Sequence, residues 1–163
     1  MALCAMITCF LSACVNDPDE SVWSLSQGDA IPAFSVVTSE GSTISRELLE
    51  GHWAVLVFFN TSCNDCRREL PELQKAFESI KANPDIELLC ISRSEDAASV
   101  SAYWSSNSLS MPWSAQSDRR VYDMFASSGI PRTYVINPAG YITATFAPED
   151  KLTAGMLLAA LPE

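Results

Sequence analysis

Apolar residues along the chain keep two different rhythms. The segment HWAVLVFFN (52–60) is an almost unbroken apolar run rich in Val and Phe, the pattern of a central strand buried on both faces. IELLCIS (86–92) repeats it. Between them, Leu70, Leu73, Phe77 and Ile80 recur every three or four positions, which predicts a helix from Cys63 to about Lys81. Thr61 or Ser62 is placed to cap its start, and Pro71 inside it is expected to kink it.

A second helix is expected over Asp96–Ser106, and a short one over SDRRVYDMFASS (117–128), ending before Gly129. RTYVIN and YITATF flank Asn137-Pro138-Ala139-Gly140 and predict a hairpin. PEDKLTAGMLLAALPE, with Pro148 and two acids at its head, predicts a closing helix. Upstream, IPAFSVVTSEGSTISRELLEG suggests a strand, a turn at Glu40-Gly41 and a second short segment. Alternating strands and helices that finish in a hairpin and a helix give an α/β fold, a sandwich around a mixed sheet.

The first thirteen residues break both rhythms. They form an apolar leader that spans only roughly 20 Å as a helix, against about 30 Å for a bilayer core, and the length suits the apolar region of a signal peptide. Its end, Leu11-Ser12-Ala13-Cys14, resembles a bacterial lipobox. That resemblance implies cleavage before Cys14, lipidation of Cys14 and a membrane-anchored, extracytoplasmic protein facing the periplasm. The leader departs from the signal pattern in having no charged side chain before Asp17. The expected organisation is a signal peptide over 1–13, a polar tether over 14–27 and one folded domain over 28–163.

Composition narrows the function. The 163 residues suffice for one domain with its own core, and the net charge of −10 would repel phosphate backbones, which argues against nucleic-acid binding. Six cysteines suggest a disulfide framework until they are placed. Cys4, Cys9 and Cys14 belong to the leader, and Cys90 sits within an apolar strand run as a small buried hydrophobe. Cys63 and Cys66 remain, two residues apart in NTSCNDCRREL.

A close cysteine pair can bind metal, staple the chain or carry electrons. Structural zinc needs four Cys or His ligands. Beyond the pair the domain offers only Cys90 and His52, with no second paired spacing, so no metal site is expected. A two-thiolate Cu(I) site stays open as a lesser alternative. A staple across two residues closes too small a loop to stabilise much. Redox work needs what the pattern provides: Cys63 where the helix begins, among unpaired N–H groups that favour negative charge, and Cys66 one turn inward to resolve a mixed disulfide.

In this context the chain resembles the thioredoxin superfamily, most closely the extracytoplasmic TlpA/ResA-like thiol–disulfide oxidoreductases, over roughly residues 28–161. VLVFFNTSCNDC, Pro71 five residues after the second cysteine, Glu69 in CRRELP and GIPRTYVINPAG carry the resemblance. It implies a thioredoxin-like three-layer sandwich with a strand–helix insertion, which takes up the long interval between Cys63 and Pro131. It further implies a cis Pro131 opposite the cysteine pair, and backbone groups of Ile130 that bind an extended client. Val57 stands where thioredoxins keep a buried aspartate, so Glu69 becomes the candidate to exchange a proton with Cys66. Asn64-Asp65 departs from the family's frequent proline before the second cysteine.

The implied partners are a disulfide-bearing client protein and a membrane thiol electron donor, with no cofactor. Two other functions fit the fold. A thiol peroxidase of peroxiredoxin type would need P-x-x-x-T-x-x-C, but Thr61 lies two residues before Cys63 and Leu56 occupies the proline position. A non-catalytic binding module or copper carrier would want a histidine near the pair, and His52 precedes the strand.

Overall fold

The computed structural model describes residues 23–162. The expected signal peptide, Cys14 and the first part of the tether lie outside them. Seven strands and four helices follow in the order β1 (Ser35–Val37), β2 (Thr43–Ser45), α1 (Arg46–Leu49), β3 (Trp53–Phe59), α2 (Asn64–Ile80), β4 (Ile86–Ser92), α3 (Ala97–Ser106), β5 (Trp113–Ser114), β6 (Arg132–Ile136), β7 (Ile142–Phe146) and α4 (Ala154–Ala159). Short 3₁₀ turns at Tyr122–Met124 and Pro148–Asp150 complete them.

β1 and β2 form a small antiparallel pair, and the main sheet has the order β5-β4-β3-β6-β7. β4 runs parallel to β3 and β5 parallel to β4, while β6 is antiparallel to β3 and β7 antiparallel to β6. The sheet is mixed, as expected. The interval between the cysteine pair and β6 holds β4, α3, β5 and a 3₁₀ turn, which supplies the extra helix and strand.

β3 explains the architecture. From Ala54 to Phe59 every residue is buried, because each face of the strand meets its own core. Val55, Val57 and Phe59 pack with Leu70 and Leu73 of α2, Val100 and Trp104 of α3, and Leu157 of α4. Ala54, Leu56 and Phe58 pack the other way, against Phe34, Val36, Leu49, Tyr122 and Phe125. The two-residue alternation of a strand thus separates three layers: α2, α3 and α4 on one side, the sheet, and a thinner cover of β1–β2, α1 and a 3₁₀ turn on the other.

Several boundaries differ from the sequence reading. Cys63 itself is the N-cap of α2, in extended conformation, in place of Thr61 or Ser62. Pro71, by contrast, lies inside α2 as expected, and the helix runs on to Ile80. The helix expected over 117–128 is only the turn Tyr122–Met124. It does not propagate because the Ser127 N–H, which a helix would aim at the Asp123 carbonyl, donates instead to the Trp23 carbonyl at 2.9 Å. The closing helix is broken by Lys151, in the left-handed region at φ 51°, and restarts at Thr153, whose side chain caps α4. Finally, the end of the expected tether is docked. Trp23 exchanges hydrogen bonds with Ser127, and the Leu25 N–H donates to the Phe125 carbonyl at 2.8 Å.

Candidate active site

Cys63 and Cys66 sit where β3 hands over to α2. The four connecting residues are held on all sides. The Asn60 side-chain oxygen accepts the Ser62 N–H at 2.8 Å, and its amide nitrogen donates to the Arg93 carbonyl at 3.0 Å. Thr61 donates both its N–H and its hydroxyl to the Glu95 carboxylate, and its carbonyl accepts from the Arg67 guanidinium. The Cys63 N–H closes the turn onto the Asn60 carbonyl at 3.0 Å.

Within α2 the two cysteines occupy different environments. The Cys63 Sγ is partly exposed and accepts the Cys66 N–H at 3.4 Å, satisfying one of the amides a helix start leaves without a partner. Cys66 is fully buried among Val57, Phe59 and Leu70. Burial pushes the Cys66 thiol well above the usual range, and the neighbouring Cys63 side chain adds to the effect. Both thiols are free.

Glu69 lies one turn beyond Cys66, on the same side of the helix. It is 3% exposed, an unusual place for a carboxylate with so little compensation. Its Oε1 has no hydrogen-bond partner, and Arg68 Nη2 stands 3.7 Å away, too far to donate a good bond. Loss of hydration raises Glu69 to about 7, against the opposing pull of the Leu152 amide and Arg68. A carboxyl that titrates near neutrality can both take up and release a proton there. Asp65 has a different fate: it is half-buried and paired with Arg68 at 2.8 Å.

The loop before β6 completes the site. The Ile130–Pro131 peptide is cis. The Cys63 thiol donates to the Ile130 carbonyl at 3.6 Å, across 67 positions of sequence. Pro131 is buried, while Ile130 is half-buried and touches both cores.

The fold therefore gathers Cys63, Cys66, Glu69, Ile130 and Pro131 at the end of β3. His52 is at its other end, about 20 Å away along a seven-residue strand. Cys90 is buried in β4 with no exposure. No cluster of three or more His, Cys, Asp or Glu side chains arranged to hold a metal occurs among the described residues. The Arg67–Thr61–Glu95 and Asn60–Arg93 contacts were not foreseeable, since the polar run SRSED carries no periodic signal of its own.

A sequence profile described as the AhpC/TSA family matches residues 27–145. The chain belongs to the AhpC/TSA family. Within the family's thioredoxin-like range, it is 28% identical over 119 residues to the thiol–disulfide oxidoreductase ResA of Bacillus subtilis, covering 73% of this chain and 66% of the relative, just short of two thirds of its length. The solved structure of StoA from Bacillus subtilis superposes with a TM-score of 0.68 at 23% identity, over 80% of this chain and 96% of that one. A secreted thiol–disulfide isomerase from Corynebacterium glutamicum gives a TM-score of 0.70 at 21% identity, over 88% and 92%. These structures share the fold of this AhpC/TSA member.

Proposed function

We propose that this AhpC/TSA member is a membrane-tethered thiol–disulfide oxidoreductase that reduces disulfides of extracytoplasmic proteins through Cys63 and Cys66. The observation that carries the reading is the set of contacts around Cys63. A partly exposed thiol caps a helix, faces the carbonyl before cis Pro131, and has a fully buried second thiol behind it. The names of the curated relatives point the same way, towards oxidoreduction rather than peroxide consumption.

In the proposed cycle the client lies extended along Ile130, and the Cys63 thiolate attacks one sulfur of its disulfide. A Cys63–client disulfide forms, and the client's other sulfur leaves as a thiolate that takes up a proton. Cys66 then gives its proton to the Glu69 carboxylate and attacks the Cys63 sulfur. This forms the Cys63–Cys66 disulfide and frees the second client thiol. Two electrons pass from the pair to the client, and the chemistry is carried by sulfur alone. A dithiol donor at the membrane returns the pair to its reduced form by the same exchange in reverse order.

The membrane tether rests on the lipobox-like Leu11-Ser12-Ala13-Cys14, with lipid on Cys14 and the domain on the extracytoplasmic side. No helix among the described residues is long and apolar enough to cross a membrane.

Cys66→Ser tests the catalytic part. A chain that attacks through Cys63 and resolves through Cys66 accumulates a client-linked disulfide in Cys66→Ser, visible on a non-reducing gel and absent in Cys63→Ser. Equal trapping by both variants, or by neither, overturns the assignment. Metabolic labelling with palmitate, compared between the wild type and Cys14→Ser, tests the tether.

A further inference from the structure

The loop that carries Ile130 is held through its carbonyls. In three consecutive residues each carbonyl oxygen accepts from a side chain: Ser127 from Arg119 Nη2 at 2.7 Å, Ser128 from Arg132 Nη2 at 3.1 Å, and Gly129 from the Tyr122 hydroxyl at 2.7 Å. The next carbonyl, that of Ile130, faces Cys63. The Gly129–Ile130 peptide plane is therefore fixed at one end by Tyr122, and that plane also sets the direction of the Ile130 N–H.

Tyr122 is unusually well placed to transmit position. Its side chain is 1% exposed, and its ring meets Phe58 of β3 edge-on at 5.6 Å. The Arg93 guanidinium lies over the ring at 4.9 Å and that of Arg119 at 5.5 Å. Arg93 in turn touches the loop on the other side of the site: its N–H donates to the Phe59 carbonyl at 2.8 Å, and its own carbonyl accepts from Asn60. Tyr122 thus bonds the segment that precedes Pro131 through its hydroxyl and meets the side chain of Arg93, whose backbone is bonded to the segment that precedes Cys63. A phenylalanine would fill nearly the same volume, so what the tyrosine adds is the hydroxyl aimed at this carbonyl.

We infer that Tyr122 is a positioning residue for client binding: through the Gly129 carbonyl it sets the orientation of the Ile130 backbone relative to Cys63, and so governs affinity for extended polypeptide disulfides but not for small ones. The inference rests on the reading that the client pairs with the Ile130 backbone. The hydroxyl touches neither client nor sulfur, so its effect falls on binding rather than on exchange.

The test compares the wild type with Tyr122→Phe, with dithiothreitol as reductant and two substrates. One is a synthetic decapeptide closed by a disulfide, and the other is hydroxyethyl disulfide, which has no backbone to pair. With the decapeptide, KM rises about fivefold, the size of one hydrogen bond, and kcat stays within about twofold. With hydroxyethyl disulfide, kcat/KM is unchanged. An unchanged decapeptide KM, or an equal loss on both substrates, overturns the inference. Arg93→Gln provides a second route that keeps the hydroxyl: it raises the decapeptide KM less, and non-additively with Tyr122→Phe, whereas strict additivity counts against the shared action. A decapeptide N-methylated beside its cysteine separates the two readings on wild-type protein. If methylation leaves KM unaltered, the Ile130 pairing falls and the inference with it. If methylation weakens binding but Tyr122→Phe does not, the pairing stands and the role of Tyr122 is refuted.

Discussion

The Cys63 sulfur lies 3.6 Å from the carbonyl oxygen of Ile130, although 67 positions separate the two residues. β3 and β6 are adjacent antiparallel strands, so the end of one and the start of the other meet at the same edge. Phe58 pairs with Arg132 in that register, which places the residues just beyond each strand opposite one another. The Cys63 thiol and the Ile130 backbone are thereby brought to one edge of the sheet.

The two cysteines should react in order of exposure. Brief treatment of the reduced native protein with iodoacetamide is expected to label Cys63, with Cys66 and Cys90 labelled only after unfolding, because both are completely buried. Peptide mapping by mass spectrometry reads the outcome. Early labelling of Cys66 would contradict the buried placement.

Glu69 should make resolution depend on pH. Its carboxyl titrates at about 7, so the fraction able to accept a proton rises as pH passes through that value. In Glu69→Gln the resolving step is expected to slow at least tenfold and to lose its inflection near neutrality. Stopped-flow measurement of the Cys63–client disulfide between about pH 5 and 9 gives the profile. An identical profile in the variant removes Glu69 from the proton path.

The same carboxyl has a signature in stability. Folding raises it from 4.5 to about 7, so between those values the folded protein holds a proton that the unfolded chain has lost. More protons bound in the folded state means that stability falls as pH rises through this window. The cost is fully developed above about 7 and is on the order of 3 kcal/mol. Glu69→Gln should therefore be more stable than the wild type at pH 8, with the advantage gone at pH 4. Urea melts at the two pH values test this, and a constant difference would be inconsistent with burial of the charge.

Gly129 should not tolerate a side chain. It lies at φ +83°, and an added Cβ would stand 3.1 Å from Arg132 Nη2 and 3.7 Å from Pro148. Gly129→Ala is expected to cost about 1–3 kcal/mol, through backbone strain and displacement of Arg132. Thermal unfolding measures the loss, and an unshifted midpoint would mean that the loop relaxes freely.

Much of this fold can be read from the chain because β3, β4 and α2 carry strong one-dimensional signals. Phe58 and Phe59 face opposite cores, so the run around them has no polar position to blur it. The segment around Tyr122 misleads for an understandable reason. Val121, Tyr122, Phe125 and Ala126 are spaced like a helix face and are all buried, but the Ser127 N–H is claimed by the Trp23 carbonyl and the Phe125 carbonyl by Leu25 and Tyr134. Long-range competition of this kind leaves no trace in local spacing. At the site, the cysteine pair and Glu69 share one helix, so their grouping follows from sequence alone. Glu95 and Arg93 reach the same place from the far end of β4, and only the parallel pairing of β4 with β3 brings them there.

The docking of Trp23 on Ser127 has a consequence for reach. Ser127 is three residues before Ile130, so the chain enters the domain beside the backbone proposed to receive clients. From Trp23 back to Cys14 there are nine residues, which span at most about 30 Å when fully drawn out. An anchor on Cys14 would act as a short leash fastened at the working end of the molecule. The disulfides within its radius would be those close to the membrane surface, and distance from the bilayer would sort clients before any chemistry began.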